Sequence, residues 1–118
     1  MTATFESMSA EVLRAVWSAD DALAYDDLCT QVAPGWKPVD VASALTNFKR
    51  RALVVFVDGD AGVLVGPALD AEDAARRAYG ELSGRVTCRV CGCSDGWACS
   101  EGCAWAEPGL CTSCTEVA

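Results

Sequence analysis

Seven cysteines lie between positions 88 and 114: Cys88, Cys91, Cys93, Cys99, Cys103, Cys111 and Cys114, in the pattern C-x2-C-x-C-x5-C-x3-C-x7-C-x2-C. This run constrains the fold more than any other feature, because aliphatic residues nearly vanish after Gly84 and such a segment cannot build an adequate hydrophobic core. Two C-x2-C knuckles, Cys88/Cys91 and Cys111/Cys114, bracket the run, and the 19 residues between them fall within the spacing of a four-thiolate zinc site. Two thiolates three positions apart on a tight turn can reach one ion at about 2.3 Å, and a second knuckle completes the tetrahedron. Metal then supplies the missing stability, on the order of 10 kcal/mol or more for a structural zinc.

A disulfide framework is the competing account, and it needs an oxidising compartment and an export signal. The opening Met1-Thr-Ala-Thr-Phe-Glu-Ser-Met8 has neither a basic n-region nor a continuous apolar stretch. No apolar run approaches the ~18 residues of a membrane span, so a soluble, cytoplasmic chain is expected. Metal ligation is therefore the leading reading, with its nuclearity open. Four thiols satisfy one zinc, and the chain contains no His to complete a set for the other three. Three accounts follow: one zinc with spare thiols, two zinc ions sharing a thiolate so that seven sulfurs fill eight positions, or an iron–sulfur cluster, which would confer redox sensing. The paired knuckles favour zinc. Trp97 and Trp105 are expected to pack over the knuckle as its miniature core, although an exposed Trp there would make a binding anchor. Cys29 stands apart and reads as a buried structural thiol.

Composition divides the chain into residues 1–84, rich in Ala, Val and Leu, and a cysteine-rich module over 85–118. Phe5, Met8, Val12, Leu13, Val16 and Trp17 share one face of a first helix. Ala22-Leu-Ala-Tyr25 reads as a brief strand, after which Asp26 or Asp27 can cap a second helix carrying Leu28, Cys29 and Val32. Pro38 suits the start of a third, whose stripe is Val41, Ala44, Leu45, Phe48 and Ala52. Leu53-Val-Val-Phe-Val57 and Val63-Leu-Val65 predict a hairpin across Asp58-Gly-Asp-Ala-Gly62. Asp70 can cap a last helix through Leu82, stopped by Gly84. Its stripe of Ala71, Ala74, Ala75, Ala78 and Tyr79 suits light packing across its own domain, a linker, or pairing in a homodimer.

This order of helix, short strand, two helices and hairpin over residues 5–66, or 5–82 with the last helix, resembles the winged-helix domain, an α+β fold. The resemblance implies a recognition helix over 38–52 and a wing over 58–62, placed at the major groove and at a phosphate or the minor groove of DNA. The charges oppose that use. The chain carries a formal −8, of which −6 lies up to Gly84, and seven thiolates with two Zn²⁺ would take it to −11. Asp40 sits in the first turn of the recognition helix and Asp58 and Asp60 at the wing tip. Lys37 and Lys49-Arg50-Arg51 form a cluster best read as a solvated helix end. The candidate partner surface is accordingly Asp40, Ser43, Asn47 and Arg50 on the helix, Asp58 and Asp60 on the wing, and Trp105 on the knuckle.

The tail carries a second resemblance. Cys88-Arg-Val-Cys-Gly-Cys93, Ala98-Cys99, Gly102-Cys103-Ala-Trp105, Glu107-Pro108 and Leu110-Cys-Thr-Ser-Cys114 are similar to a small cysteine-rich module of phage and prophage proteins. Ser94 stands where that module usually has Thr, Ser100-Glu101 where it has Pro-Gly and Gly109 where it has Asp; no thiol is lost. The resemblance implies a mobile-element origin and a metal, not an activity. Without His there is no Ser-His-Asp or Cys-His pair, no Gly-rich phosphate loop appears, and all-thiolate zinc is normally closed, so no catalysis is expected. The expected function is a phage-encoded, protein-binding modulator or inhibitor of a host nucleic-acid-handling or defence complex, of the anti-CRISPR type. A small winged-helix transcriptional regulator is the alternative, and an iron–sulfur redox sensor a lesser one.

Overall fold

The computed structural model describes residues 4–60, 62–94, 97 and 103–114. Its architecture is α+β, with a three-stranded antiparallel sheet packed on helices and a cysteine-rich tail closing over one side. Helix α1, Phe5–Ser18, begins in a capping box between Thr4 and Ser7 and buries Met8, Val12, Leu13 and Val16. Strand β1 is only Leu23–Ala24. The helical segment that follows is one α turn, α2 at Tyr25–Asp27, continued as a π-helical turn over Leu28–Val32. Neither Asp26 nor Asp27 caps it. Both lie inside its first turn, where they face the positive end of the helix, and the cap position is Ala24.

Helix α3, Pro38–Arg50, has Pro38 at its start and buries Val41, Ala44, Leu45 and Phe48. The expected fifth member of that stripe, Ala52, is instead exposed, in the left-handed region at φ 59°. Two bonds explain it: the Ala52 N–H donates to Lys49 O at 3.0 Å and the Leu53 N–H to Phe48 O at 2.9 Å. This is the Schellman closure of a helix C-terminus, with Ala where Gly is usual. It turns the chain into β2, Val54–Gly59, which pairs with β3, Gly62–Pro67, as the expected hairpin. The strand order is β1-β3-β2, with Leu23 opposite Val65.

A 3₁₀ turn at Leu69–Ala71 leads into helix α4, Glu72–Ser83. Asp70 sits within that turn and does not cap the helix. Gly84, at φ 72°, ends the helix as expected. Of the expected α4 stripe, Ala75, Ala78 and Tyr79 are buried against α1, whereas Ala71 is half-buried and Ala74 faces solvent. The face bearing Gly80 receives the tail. A Cβ at Gly80 would lie 2.0 Å from Thr87 Cγ2, and one at Gly92 would lie 2.3 Å from Arg77 Cγ. The Arg77 guanidinium also donates to Val90 O.

Trp97 seals this junction, against the expectation that it packs over the knuckle. It joins the main core rather than the sulfur cluster, with ring centroids 5.7 Å from Trp17 and 5.9 Å from Tyr79 and the Arg14 guanidinium 4.5 Å above its ring. Paired backbone bonds with Ser94, both 3.0 Å, hold it there, and a buried indole of this size contributes more apolar area than α4's alanines can offer. Two substitutions test these packing statements by denaturant unfolding. Ala52→Gly relieves the left-handed strain and should stabilise by up to about 1 kcal/mol with an unchanged m-value. Gly80→Ala should destabilise by about 1–3 kcal/mol, because Thr87 and the backbone carrying it must move.

Candidate metal centre and partner surface

The tail builds its centre from two short turns and a two-stranded ribbon. After Thr87 the chain turns at Cys88–Gly92, with Gly92 N–H donating to Cys88 O at 2.9 Å and Cys88 N–H to Cys93 O at 2.8 Å. Gly92 supplies φ 82°, which L side chains rarely adopt. Strands β4, Trp105–Glu107, and β5, Leu110–Cys111, then pair around a turn containing Gly109, and a 3₁₀ turn at Thr112–Cys114 carries the second knuckle. Arg89 ties the first turn to the ribbon through its N–H to Gly109 O and its guanidinium to Glu107 at 2.8 Å.

These elements bring six thiols together. The Sγ atoms of Cys88, Cys91, Cys93 and Cys111 all lie within 4.8 Å of one another and could hold a metal ion. Cys91 and Cys111 are 3.7 Å apart, and Cys93 and Cys103 are 3.6 Å apart. Cys114 adjoins Cys111, Cys91 and Cys88. The set of four mutually close sulfurs thus includes Cys93 where the paired knuckles alone would have placed Cys114. Cys99 lies outside the described residues. Leu110 is the one buried aliphatic among the described residues of this cluster, with Trp105 half-buried against it, so sulfur is most of the core.

Electrostatics prepare Cys88 as a thiolate. Burial pushes its thiol up, but N–H donors from Cys91, Cys111 and Val90 and the Cys114 thiol outweigh that and bring it down to about 5. The Val90 N–H lies 3.4 Å from Cys88 Sγ. An anion that already accepts several N–H bonds is a pre-oriented metal ligand. Cys114 moves the other way, its thiol raised by burial and by the neighbouring sulfurs of Cys111, Cys91 and Cys88. Cys29 is far from this chemistry, half-buried beside the main core.

The sequence-derived partner residues do not form one patch. Asp40 is half-buried in the first turn of α3, whereas Arg50 is in its last turn, about 15 Å away along the axis. Ser43 and Asn47 are both exposed, and the Ser43 hydroxyl donates to Val39 O at 3.0 Å. Asp58 and Asp60 are exposed at the hairpin tip, and Trp105 packs against the sulfur cluster. What that reading missed is the outer face of the sheet. Val54, Phe56 and Val65 point to the core, which leaves Val55, Val57 and Leu64 on the opposite face. Val55 and Val57 are 44% and 50% exposed, and Leu69 at the sheet's end is 80% exposed. A groove of about 590 Å³ on this face is lined by Val55, Val57, Trp17 and Trp97, with Arg14, Asp20, Asp21 and Glu72 among its charged residues. The signal was present in Leu53-Val-Val-Phe-Val57, an unbroken apolar run of the kind that marks a strand covered on both faces.

Among the described residues no helix is long and apolar enough to cross a membrane. No family model, curated protein or solved structure matches the chain. The centre predicts its own behaviour under metal removal. A strong chelator, or Cys88→Ser, should abolish ordered amide signals from residue 85 onward in a two-dimensional NMR spectrum. Trp97 should leave the Trp17 and Tyr79 rings at the same time, shifting tryptophan emission to the red, while the signals of α3 and the hairpin persist.

Proposed function

We propose that the chain is a non-enzymatic protein-binding module whose tail is held by structural zinc, and that it docks on a basic surface of a host nucleic-acid-handling or defence complex and modulates it. The observation that carries this reading is the uncovered apolar sheet face at Val55 and Val57, with Asp20, Asp21 and Glu72 lining the groove beside it. Contiguous apolar surface with a charged border is the usual mark of a protein interface, and carboxylates around it select and steer a basic partner. Zinc is favoured over iron by the two C-x2-C knuckles. A mobile-element origin rests on the resemblance of the cysteine module alone.

A second reading, a small winged-helix DNA-binding regulator, has the element order in its favour and exposed Lys37, Arg50 and Arg51 near α3. Its difficulty is charge: exposed Asp58 and Asp60 at the wing tip and a net −8 begin any approach to phosphate with repulsion.

The two readings part on one set of variants, after capture from host lysate has supplied a partner and a random duplex has supplied the DNA control. Reversing Asp20, Asp21 and Glu72, the carboxylates that line the groove, to Lys should slow association with a basic protein about tenfold at low salt. Val57→Asp should weaken the same complex through its off-rate without touching the metal. Mobility shifts on duplexes near physiological salt should show no binding. Nanomolar duplex binding that tightens in the triple variant would overturn the proposal, and elemental analysis giving iron with visible absorption would replace zinc by a redox cluster.

A further inference from the structure

Ser9, in the second turn of α1, is 3% exposed and its hydroxyl has no hydrogen-bond partner. A helical hydroxyl has a ready acceptor in the carbonyl four residues back. Ser18 and Ser43 use theirs, at 2.7 and 3.0 Å, whereas Ser9 does not turn to Phe5 O. An unpaired buried hydroxyl costs stability, and the surroundings of Ser9 give a reason for keeping it. Ser9 lines a cavity of about 310 Å³ where α1, α3 and α4 meet, with Phe5, Phe48 and Leu82 as apolar walls. Asn47, Arg50 and Arg51 are its other polar members.

The charge of this cavity runs against that of the chain. The sequence has 17 acidic and 9 basic residues, yet no lining residue is acidic. Among the described residues no carboxylate pairs with Arg50 or Arg51. The last carbonyls of α3, which would repel an anion, are already engaged: Asn47 O accepts from Arg51 N–H, Phe48 O from Leu53 N–H and Lys49 O from Ala52 N–H. Two guanidiniums, an amide and a buried hydroxyl are thus gathered beside aromatic and aliphatic walls.

We propose that this cavity binds a small monocarboxylic acid with a compact apolar body. Its carboxylate is held by Arg50, Arg51 and the Ser9 hydroxyl, and its body lies against Phe5, Phe48 and Leu82. A guanidinium fork matches the two oxygens of a carboxylate. A phosphate dianion would have to shed more water to reach a hydroxyl set among apolar walls. The volume is at the small end for ligand sites, which suits one ring or a short branched chain. The cavity shares no lining residue with the groove on the sheet face, so the acid and a protein partner occupy different surfaces.

The full chain, purified with its native metal, is titrated with phenylacetate, phenylacetamide and phenyl phosphate and followed by two-dimensional amide NMR. Phenylacetate should shift the Ser9, Asn47, Phe48 and Leu82 signals saturably, and the neutral amide should not. Arg50→Gln and Arg51→Gln, at exposed positions, should each weaken phenylacetate about tenfold while the rest of the spectrum is unchanged. Ser9→Ala should weaken it about threefold and yet raise the melting temperature of the free chain, opposite signs that a packing role alone would not give. Absence of saturable shifts with millimolar phenylacetate, equal binding of the amide, or unchanged affinity in the arginine or Ser9 variants would overturn the site. Tighter binding of phenyl phosphate than of phenylacetate would overturn its assignment to a carboxylate.

Discussion

Sulfurs 3.6–3.7 Å apart set the terms for the whole C-terminal third of the chain. Were they all ionised, each close pair would cost about 4 kcal/mol at an effective dielectric constant of 20. Were they all protonated, weak S–H···S contacts and Leu110 would be all the buried core the segment has, beside the ribbon's backbone bonds and the Arg89–Glu107 pair. A cation among them resolves both problems and turns the crowding into ligation. The consequence runs inward through short covalent links. Cys88 and Cys93 share a backbone bond, Ser94 follows and pairs with Trp97, and Trp97 reaches into the core between Trp17 and Tyr79. Trp97 therefore links the sulfur cluster to the main core, beside the contacts of Thr87 on Gly80 and Arg77 on Val90.

Patterns with a short period were legible in the sequence. Helices α1 and α3, the hairpin, the brief strand at Leu23–Ala24 and the stop at Gly84 follow from periodicity, Pro38 and glycine placement, and each is present. So is the gathering of the cysteines, because the C-x2-C spacing encodes a local turn. What could not be read depends on contacts between distant residues. Cys93 joins the close set of four only because the turn at Cys88–Gly92 folds it back on the first knuckle. Trp97 looked like part of the knuckle because its sequence neighbours are cysteines, yet the larger apolar surface available to it belongs to α1 and α4. Ala52 looked like one more member of a helical stripe, but the Schellman closure that starts β2 intervenes. The π-helical turn at Leu28–Val32 has no distinct period to detect over five residues.

The tight docking of the tail on α4 explains why that helix can be so poor in large side chains. Gly80 and the alanines on its buried faces are small because Thr87 presses against one side and α1 against the other. Arg76, buried on the same helix, keeps its guanidinium on Asp73 at 2.7 Å. A helix read in isolation as weakly apolar is thus well matched to a narrow space between two neighbours. Bulk here would separate the tail from the core instead of adding to it.

This geometry also bears on the surface assigned to a partner. The groove beside Val55 and Val57 has Trp17 and Trp97 together among its lining residues, so one wall belongs to the helical core and another to the metal-binding tail. An apolar sheet face that lay wholly within residues 1–84 would keep its shape whatever happened to the cysteines. This one cannot. On the proposed metal-held tail, loss of the cation would release Trp97 from the groove lining and expose the Trp17 ring it packs against. A metal far from catalysis can in this way still govern binding, by holding one tryptophan in the wall against which a partner would rest. Under the proposed zinc and docking readings, the sulfur cluster and the apolar face act as two parts of one surface, joined through Trp97.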